Sequence, residues 1–208
     1  MEVNMYIDRY KNARLNLFKW RYELNYMNKI ILALSFAFLT GLLAQFRFYI
    51  PGTPVPVTGQ VFGVMLAGVM LGLWGGVSQV MYLGIGAAGV PWFQGFNSGV
   101  IYMTGPTGGY LLGFVLAAFF IGYIVDRYVK ARKIVGMTLI IMFSTFVLIY
   151  IPGLIWFYFW SGTTLGLVEL VTLCIIPFIA ADLIKAVIAA GIAMSITPKT
   201  SYANEIDS

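Results

Sequence analysis

Residues 48–125 read FYIPGTPVPVTGQVFGVMLAGVMLGLWGGVSQVMYLGIGAAGVPWFQGFNSGVIYMTGPTGGYLLGFVLAAFFIGYIV and contain no Asp, Glu, Lys or Arg. Water tolerates charge anywhere on a surface, whereas hydrocarbon excludes it, so a run this long without one charge marks a chain folded in lipid. Ile134–Val168 is a second charge-free stretch. Across all 208 residues, 60% are hydrophobic and 10% charged, and mean hydropathy is +0.86. That exceeds what a soluble domain can bury. Helices satisfy their own backbone in lipid, so the expectation is an all-α integral membrane protein. Six spans of about 20 residues each would form one multi-pass bundle in the cell membrane.

The charges that remain set orientation. Arg9, Lys11, Arg14, Lys19, Arg21 and Lys29 precede the first span, and Arg127, Lys130, Arg132 and Lys133 lie between later ones. The positive-inside rule places both groups, and with them both termini, in the cytoplasm. The chain then divides into a basic, aromatic segment over 1–28, a six-helix membrane domain over 29–198 and a cytoplasmic tail over 199–208. Phe18, Trp20, Tyr22 and Tyr26 among the cations suit either a helix on the inner membrane surface or a disordered tail. The +5 charge flanks apolar spans, which argues for the lipid bilayer and against nucleic acid as a partner.

The first span reads Ile30 to Phe46. Pro51, Pro54 and Pro56 then forbid helix and enforce an extended outer loop, with Thr58 placed to cap a second span running from Gly59 to Leu73. A turn at Gly75-Gly76 leads into a third span over Val77 to Ala88. The outer segment from Gly89 to Gly105 is long for a connector. A fourth span runs from Pro106 to Val125 and a fifth from Ile134 to Ile151. Beyond Pro152 the reading is a short outer helix over Thr164 to Ile176, a break over Pro177 to Ala181, and a sixth span capped by Asp182 and ending at Thr197.

Asp182 and Lys185 are the charges near an embedded helix that the basic clusters do not explain. Three residues apart, they share one face. Either Asp182 is a cap and the pair neutralises itself, or the two form a site for a small polar ligand. Thr53-Pro54-Val55-Pro56-Val57-Thr58-Gly59-Gln60 is a stiff loop able to wall such a site, with Thr58 and Gln60 as its polar groups. In Gly105-Pro106-Thr107-Gly108-Gly109-Tyr110, the glycines Gly108 and Gly109 let a ligand or another helix approach. Trp92, Phe93, Phe96 and Tyr102 line a pocket or form an interfacial belt. Ala33, Ala37 and Gly41 make a smooth stripe for another helix.

No His is present and Cys174 is the single cysteine, so an internal disulfide is excluded and the commonest general base and metal ligand is missing. No catalytic residue, metal or cofactor is expected. A membrane enzyme using Asp182 as base or Lys185 as nucleophile, and a solitary ion-coupled carrier, are the rival readings.

Taken together, Thr53 to Gln60, the run Gly105-Pro106-Thr107-Gly108-Gly109-Tyr110-Leu111-Leu112-Gly113-Phe114, and Pro177-Phe178 followed by Asp182-Leu183-Ile184-Lys185 resemble the BioY family. These are biotin-specific S components of energy-coupling-factor transporters, and the likeness spans Lys29 to Pro198. The resemblance implies a six-helix bundle with an outward-facing pocket and assigns Asp182 and Lys185 to biotin. Biotin is then a ligand and no cofactor is needed. Asn97 or Asp182 would take the ureido hydrogens, and Tyr110, Trp92 and the Thr58 loop would enclose the rest. Which end of biotin meets Lys185 stays open, as does an S component for another vitamin. The resemblance further implies a transmembrane coupling subunit and two ATPase subunits as partners, the former docking on Ala33, Ala37 and Gly41. One departure stands out: the family commonly shows a glycine pair where this chain has Gly95-Phe96-Asn97.

Overall fold

The structure is a computed structural model that describes residues 2–162, 165–203 and 205–207. Helix α1 covers Glu2–Glu23 and α2 covers Tyr26–Gln45, whose first turn is capped by the Asn25 side chain. A two-residue hairpin follows, β1 (Arg47–Phe48) against β2 (Val57–Thr58), with Arg47 opposite Thr58. Next come α3 (Gln60–Leu71), α4 (Leu73–Ala87), the short α5 (Gly99–Met103) and α6 (Gly108–Arg127). The chain ends with α7 (Ile134–Phe143), α8 (Tyr150–Trp160), α9 (Leu167–Cys174) and α10 (Ile176–Ile196). Among the described residues, four helical stretches are long and apolar enough to cross a membrane: Tyr26–Gln45, Gly108–Arg127, Ile134–Trp160 and Ile176–Ile196. Helices α3 and α4, at 12 and 15 residues, reach only about 18 and 23 Å, short of a hydrocarbon core of about 30 Å.

Several boundaries differ from the sequence reading, each for a local reason. The turn between α3 and α4 is Gly72 at φ +63°, not Gly75-Gly76. A side chain at Gly72 would also strike the Asp126 carboxylate. Gly75 and Gly76 instead lie in the first turn of α4, where they admit the Ala67 backbone and the Phe119 ring. The fifth span does not stop near Ile151. The chain stays helical to Trp160, because residues 144–149 form a wide π turn just before Pro152. That turn relieves the clash between the proline ring and the preceding carbonyls. The Ile140 and Ile141 carbonyls, on the turn before it, also accept from the Ser144 and Thr145 hydroxyls at 2.7 and 2.9 Å. The outer helix is Leu167–Cys174, and its expected first residue, Thr164, lies outside the described residues. Pro177 does not break the last span but starts it, where its missing N–H has no partner to lose. Asp182 is therefore inside α10 and caps nothing; the N-cap of α3 is Gly59, one residue past the expected Thr58, whose hydroxyl still accepts from the Gln60 amide at 3.3 Å.

Helix α6 is the central post, packed against α3, α4 and α8. The stripe expected to dock a partner is occupied within the chain: Ala33, Ala37 and Gly41 are buried as α2 packs on α3 and α4, and Gly41 receives the Trp92 side chain. A bulky residue at Ala33 or Ala37 would overpack this seam, so it would disturb the bundle itself.

At the basic end, the tail folds back on the loop after α6. Arg132 and Glu205 form an ion pair at 2.7 Å with both side chains fully buried. Arg132 also donates to the Val125 and Thr200 carbonyls, while Asp207 accepts from the Val129 and Lys130 amides. Helix α1 lies across this end, its Arg21 bonded to Asp126 at 2.6 Å, to the Tyr202 hydroxyl and to the Met70 carbonyl. Burial alone would raise the Glu205 carboxyl, but donors from Ser201, the Tyr202 amide, Arg132 and the Ala203 amide outweigh it and hold it down at about 2, against an ordinary 4.5. Its folded value lies below the unfolded one, so the stability it supplies is complete above pH 4.5 and lost as pH falls through about 2. Glu205→Gln, which strands a buried guanidinium, is expected to destabilise the protein by about 3 kcal/mol at neutral pH. Thermal unfolding in detergent should show that gap, and the gap should narrow on acidification below the ordinary carboxyl range.

Candidate functional site

At the opposite end of the bundle, α10 carries Asp182 and Lys185 on one face, and Lys185 donates to the Asp182 Oδ1. Asp182 is 3% exposed. Its second oxygen accepts from the Tyr150 hydroxyl at 2.6 Å, and the Lys185 ammonium also donates to the Thr58 carbonyl at 2.8 Å. An ammonium has three donors, so one is left for a ligand beside this pair. The wide turn of residues 144–149 rotates the helix so that Tyr150, the first residue of α8, faces α10.

The pair opens on a narrow cavity whose empty space, open mouth included, comes to about 520 Å³. Most of its wall is apolar: Val55, Val57, Val61, Leu111, Phe114 and Phe178 among others. The polar side chains are set among them. Besides Asp182, Lys185 and Tyr150, they are Thr58, Gln60, Gln94, Tyr102 and Thr107. Gln94, Tyr102 and Thr107 also line an outer cleft with Asn97, Ser98 and Pro106, so they mark the mouth. There Gln94 donates to the Tyr49 hydroxyl at 2.6 Å and accepts from Tyr102 at 3.0 Å. Gln60 accepts from the Thr58 hydroxyl and donates to Tyr82.

The structure thus brings together Asp182, Lys185, Tyr110, Thr58 and Gln60 around one space. Four other expected residues lie elsewhere. Trp92 packs on Tyr82 and donates to its carbonyl at 2.9 Å, behind the wall. Asn97 sits in the outer cleft and donates to the Gln94 carbonyl. Gly108 and Gly109 serve helix packing, since side chains there would collide with Met103, Pro152 and Trp156. The Tyr110 hydroxyl is already engaged with the Cys174 carbonyl at 2.7 Å, so its ring is what faces the cavity. Sequence reasoning missed Tyr150 and Gln94. A phenol inside a charge-free span needs a partner, and Asp182 is the acid within its reach. No cluster that could hold a metal is found among the described residues.

The loop from Val90 to Ser98 is tied to α2 by Gln45, which donates to the Phe93 carbonyl and accepts from the Phe96 amide. Gly95 has φ +79° and Phe96 φ +59°. Phe96 therefore occupies a left-handed position that costs a side-chain-bearing residue roughly 1–2 kcal/mol. Glycine there also gains entropy when unfolded, so Phe96→Gly should stabilise by about 0.5–1 kcal/mol, measured by thermal unfolding. Tyr150→Phe removes a hydrogen bond to a buried carboxylate and should lower stability by about 2 kcal/mol in the same assay without ligand.

Comparison with known proteins places this geometry in context. The sequence pattern of the BioY family matches residues 12–202. A probable biotin transporter BioY of Methanothermobacter thermautotrophicus is 48% identical over 147 residues, which is 68% of this chain and 94% of that protein. The biotin transporter BioY of Thermotoga maritima is 36% identical over 151 residues, 70% of this chain and 82% of the relative. The crystal structure of an S-component for biotin from an ECF-type ABC transporter superposes with a TM-score of 0.73 at 26% identity, covering 82% of this chain and 93% of the other.

Proposed function

The chain belongs to the BioY family, and from that membership we propose that it binds biotin as the S component of an energy-coupling-factor importer. It is a transport subunit and not an enzyme. The observation that carries the reading is the cavity itself: an apolar cage with one buried acid–base pair and neutral polar groups. Biotin offers an apolar bicycle and valeryl chain, a ureido group with two N–H donors and a carbonyl, and a carboxylate. Asp182 has acceptor capacity beyond the bonds from Tyr150 and Lys185, which suits the ureido hydrogens. The spare donor of Lys185 suits the ureido oxygen or the carboxylate. Thr58, Gln60 and the Tyr110 ring would close the cage, with Gln94 and Tyr102 at its mouth.

The same reading counts α2, α6, α7 with α8, and α10 as full crossings of the cell membrane, and adds α3 and α4 as two shorter ones that need a locally thinner bilayer to reach both faces. Both termini then lie on the cytoplasmic side, with the cavity opening outward. The placement of Arg127, Lys130, Arg132 and Lys133 at the end remote from the cavity supports that orientation. Import needs work, which two ATPases joined through a transmembrane coupling subunit would supply. That subunit would meet outward faces of the bundle, since Ala33, Ala37 and Gly41 are covered by α3, α4 and the Trp92 loop.

Titration of the purified protein with biotin tests the reading. Saturable binding is expected, weakened about 10- to 100-fold by Lys185→Ala, which removes a charged donor and leaves Asp182 short of one partner. Preference for thiamine or riboflavin, or an unchanged affinity in the variant, would count against it.

A further inference from the structure

The cavity has no net charge to offer an anion, because the Asp182 carboxylate and the Lys185 ammonium are in contact and cancel. A ligand with a free carboxylate therefore calls for a cation elsewhere at this end. The sequence supplies none from Phe48 to Val125. Arg47, the first residue of β1, fills the gap. The ion pairs among the described residues are Lys11–Asp8, Lys19–Glu23, Arg21–Asp126, Arg132–Glu205 and Lys185–Asp182, so Arg47 belongs to none of them.

Its position is built. Arg47 stands opposite Thr58 in the hairpin, one strand spacing of about 5 Å from a residue of the cavity wall. Its guanidinium lies on Gly95, where any side chain would overlap Nη1, and Gly95 holds φ +79°. Gly95 is flanked by Gln94, a mouth residue of the cavity, and the same loop carries Asn97 in the outer cleft. Tyr102, which lines the cavity and the cleft at its mouth, is within electrostatic range of the same charge. Burial pushes that phenol up, and Arg47 acts on it in the opposite sense.

We propose that Arg47 receives the carboxylate of the ligand at the mouth of the cavity, so that the ligand lies with its ureido end toward Asp182 and Tyr150. This rests on the reading of the cavity as a biotin site. A guanidinium and a carboxylate pair strongly and with directional preference. At a wet rim the gain shows in capture from solution and in salt dependence.

The test titrates wild type and Arg47→Gln, in neutral-lipid nanodiscs, with biotin and with its uncharged methyl ester at low and high salt. The variant is expected to bind biotin about ten-fold more weakly and with less salt dependence, to bind the ester as wild type does, and Arg47→Lys is expected to recover part of the loss. Equal weakening for acid and ester would make Arg47 a prop for the loop and overturn the proposal. No change for either would assign the guanidinium to lipid phosphates and overturn it as well. Wild type that binds neither ligand would defeat the biotin reading itself.

Discussion

A lysine in a helix surrounded by hydrocarbon must be neutralised or solvated by the chain itself, and the cavity end of this molecule is arranged around how Lys185 meets that demand. Asp182, one turn earlier on α10, supplies the opposite charge, and the Thr58 carbonyl takes a second donor from across the cavity. Tyr150 then answers the other carboxylate oxygen. One ion pair thereby ties together α10, the β1–β2 hairpin and the start of α8, and the space between those three elements is the cavity. Because the pair is internally balanced, a ligand beside it would be discriminated by hydrogen-bond pattern rather than by attraction of charge.

Much of this was legible in the sequence. The charge-free runs point to a membrane bundle, and the isolation of Asp182 and Lys185 singles out the pair that borders the cavity. What escaped depends on helix phase. Pro177 reads as a break until the chain is seen to start a helix there, and that shift alone turns Asp182 from a cap into a residue of the second turn. Pro152 reads as a stop because nothing in Ser144-Thr145-Phe146-Val147-Leu148-Ile149 announces a π turn. That turn decides where Tyr150 points, so Tyr150 stayed hidden with it. Gly108, Gly109 and the Ala33–Gly41 stripe show the converse error: small residues permit close approach, but composition does not say whether a ligand, a partner or the next helix comes close.

In each of those cases the neighbour belongs to the same chain, a helix for Gly108, Gly109 and Ala33 to Ala37 and the Trp92 loop for Gly41. Gly68 admits Ile121, Gly113 admits the Ile149 backbone and Gly122 admits the backbone of Gly72. All three contacts involve α6. Lipid offers no hydrophobic drive for helices to associate, so such close backbone contact and the dispersion it gains are what hold the bundle. The consequence is a rigid centre against which the hairpin, the Val90–Ser98 loop and α9 are added as lighter parts.

The two ends of that bundle are closed by different chemistry. The basic end is sealed by the buried pair of Arg132 with Glu205, by Arg21 on Asp126 and by a tail that caps exposed amides. Opening it would separate charges in a poorly solvated place, which is expensive. The other end is closed by neutral groups: Gln45 to loop carbonyls, Gln94 between two tyrosines, and Gln60 with Thr58. Each of these bonds can be exchanged for one to water or ligand at little net change in free energy. A small molecule therefore meets a low barrier on the loop side and a high one on the basic side, and the asymmetry lies in the hydrogen-bonding groups themselves.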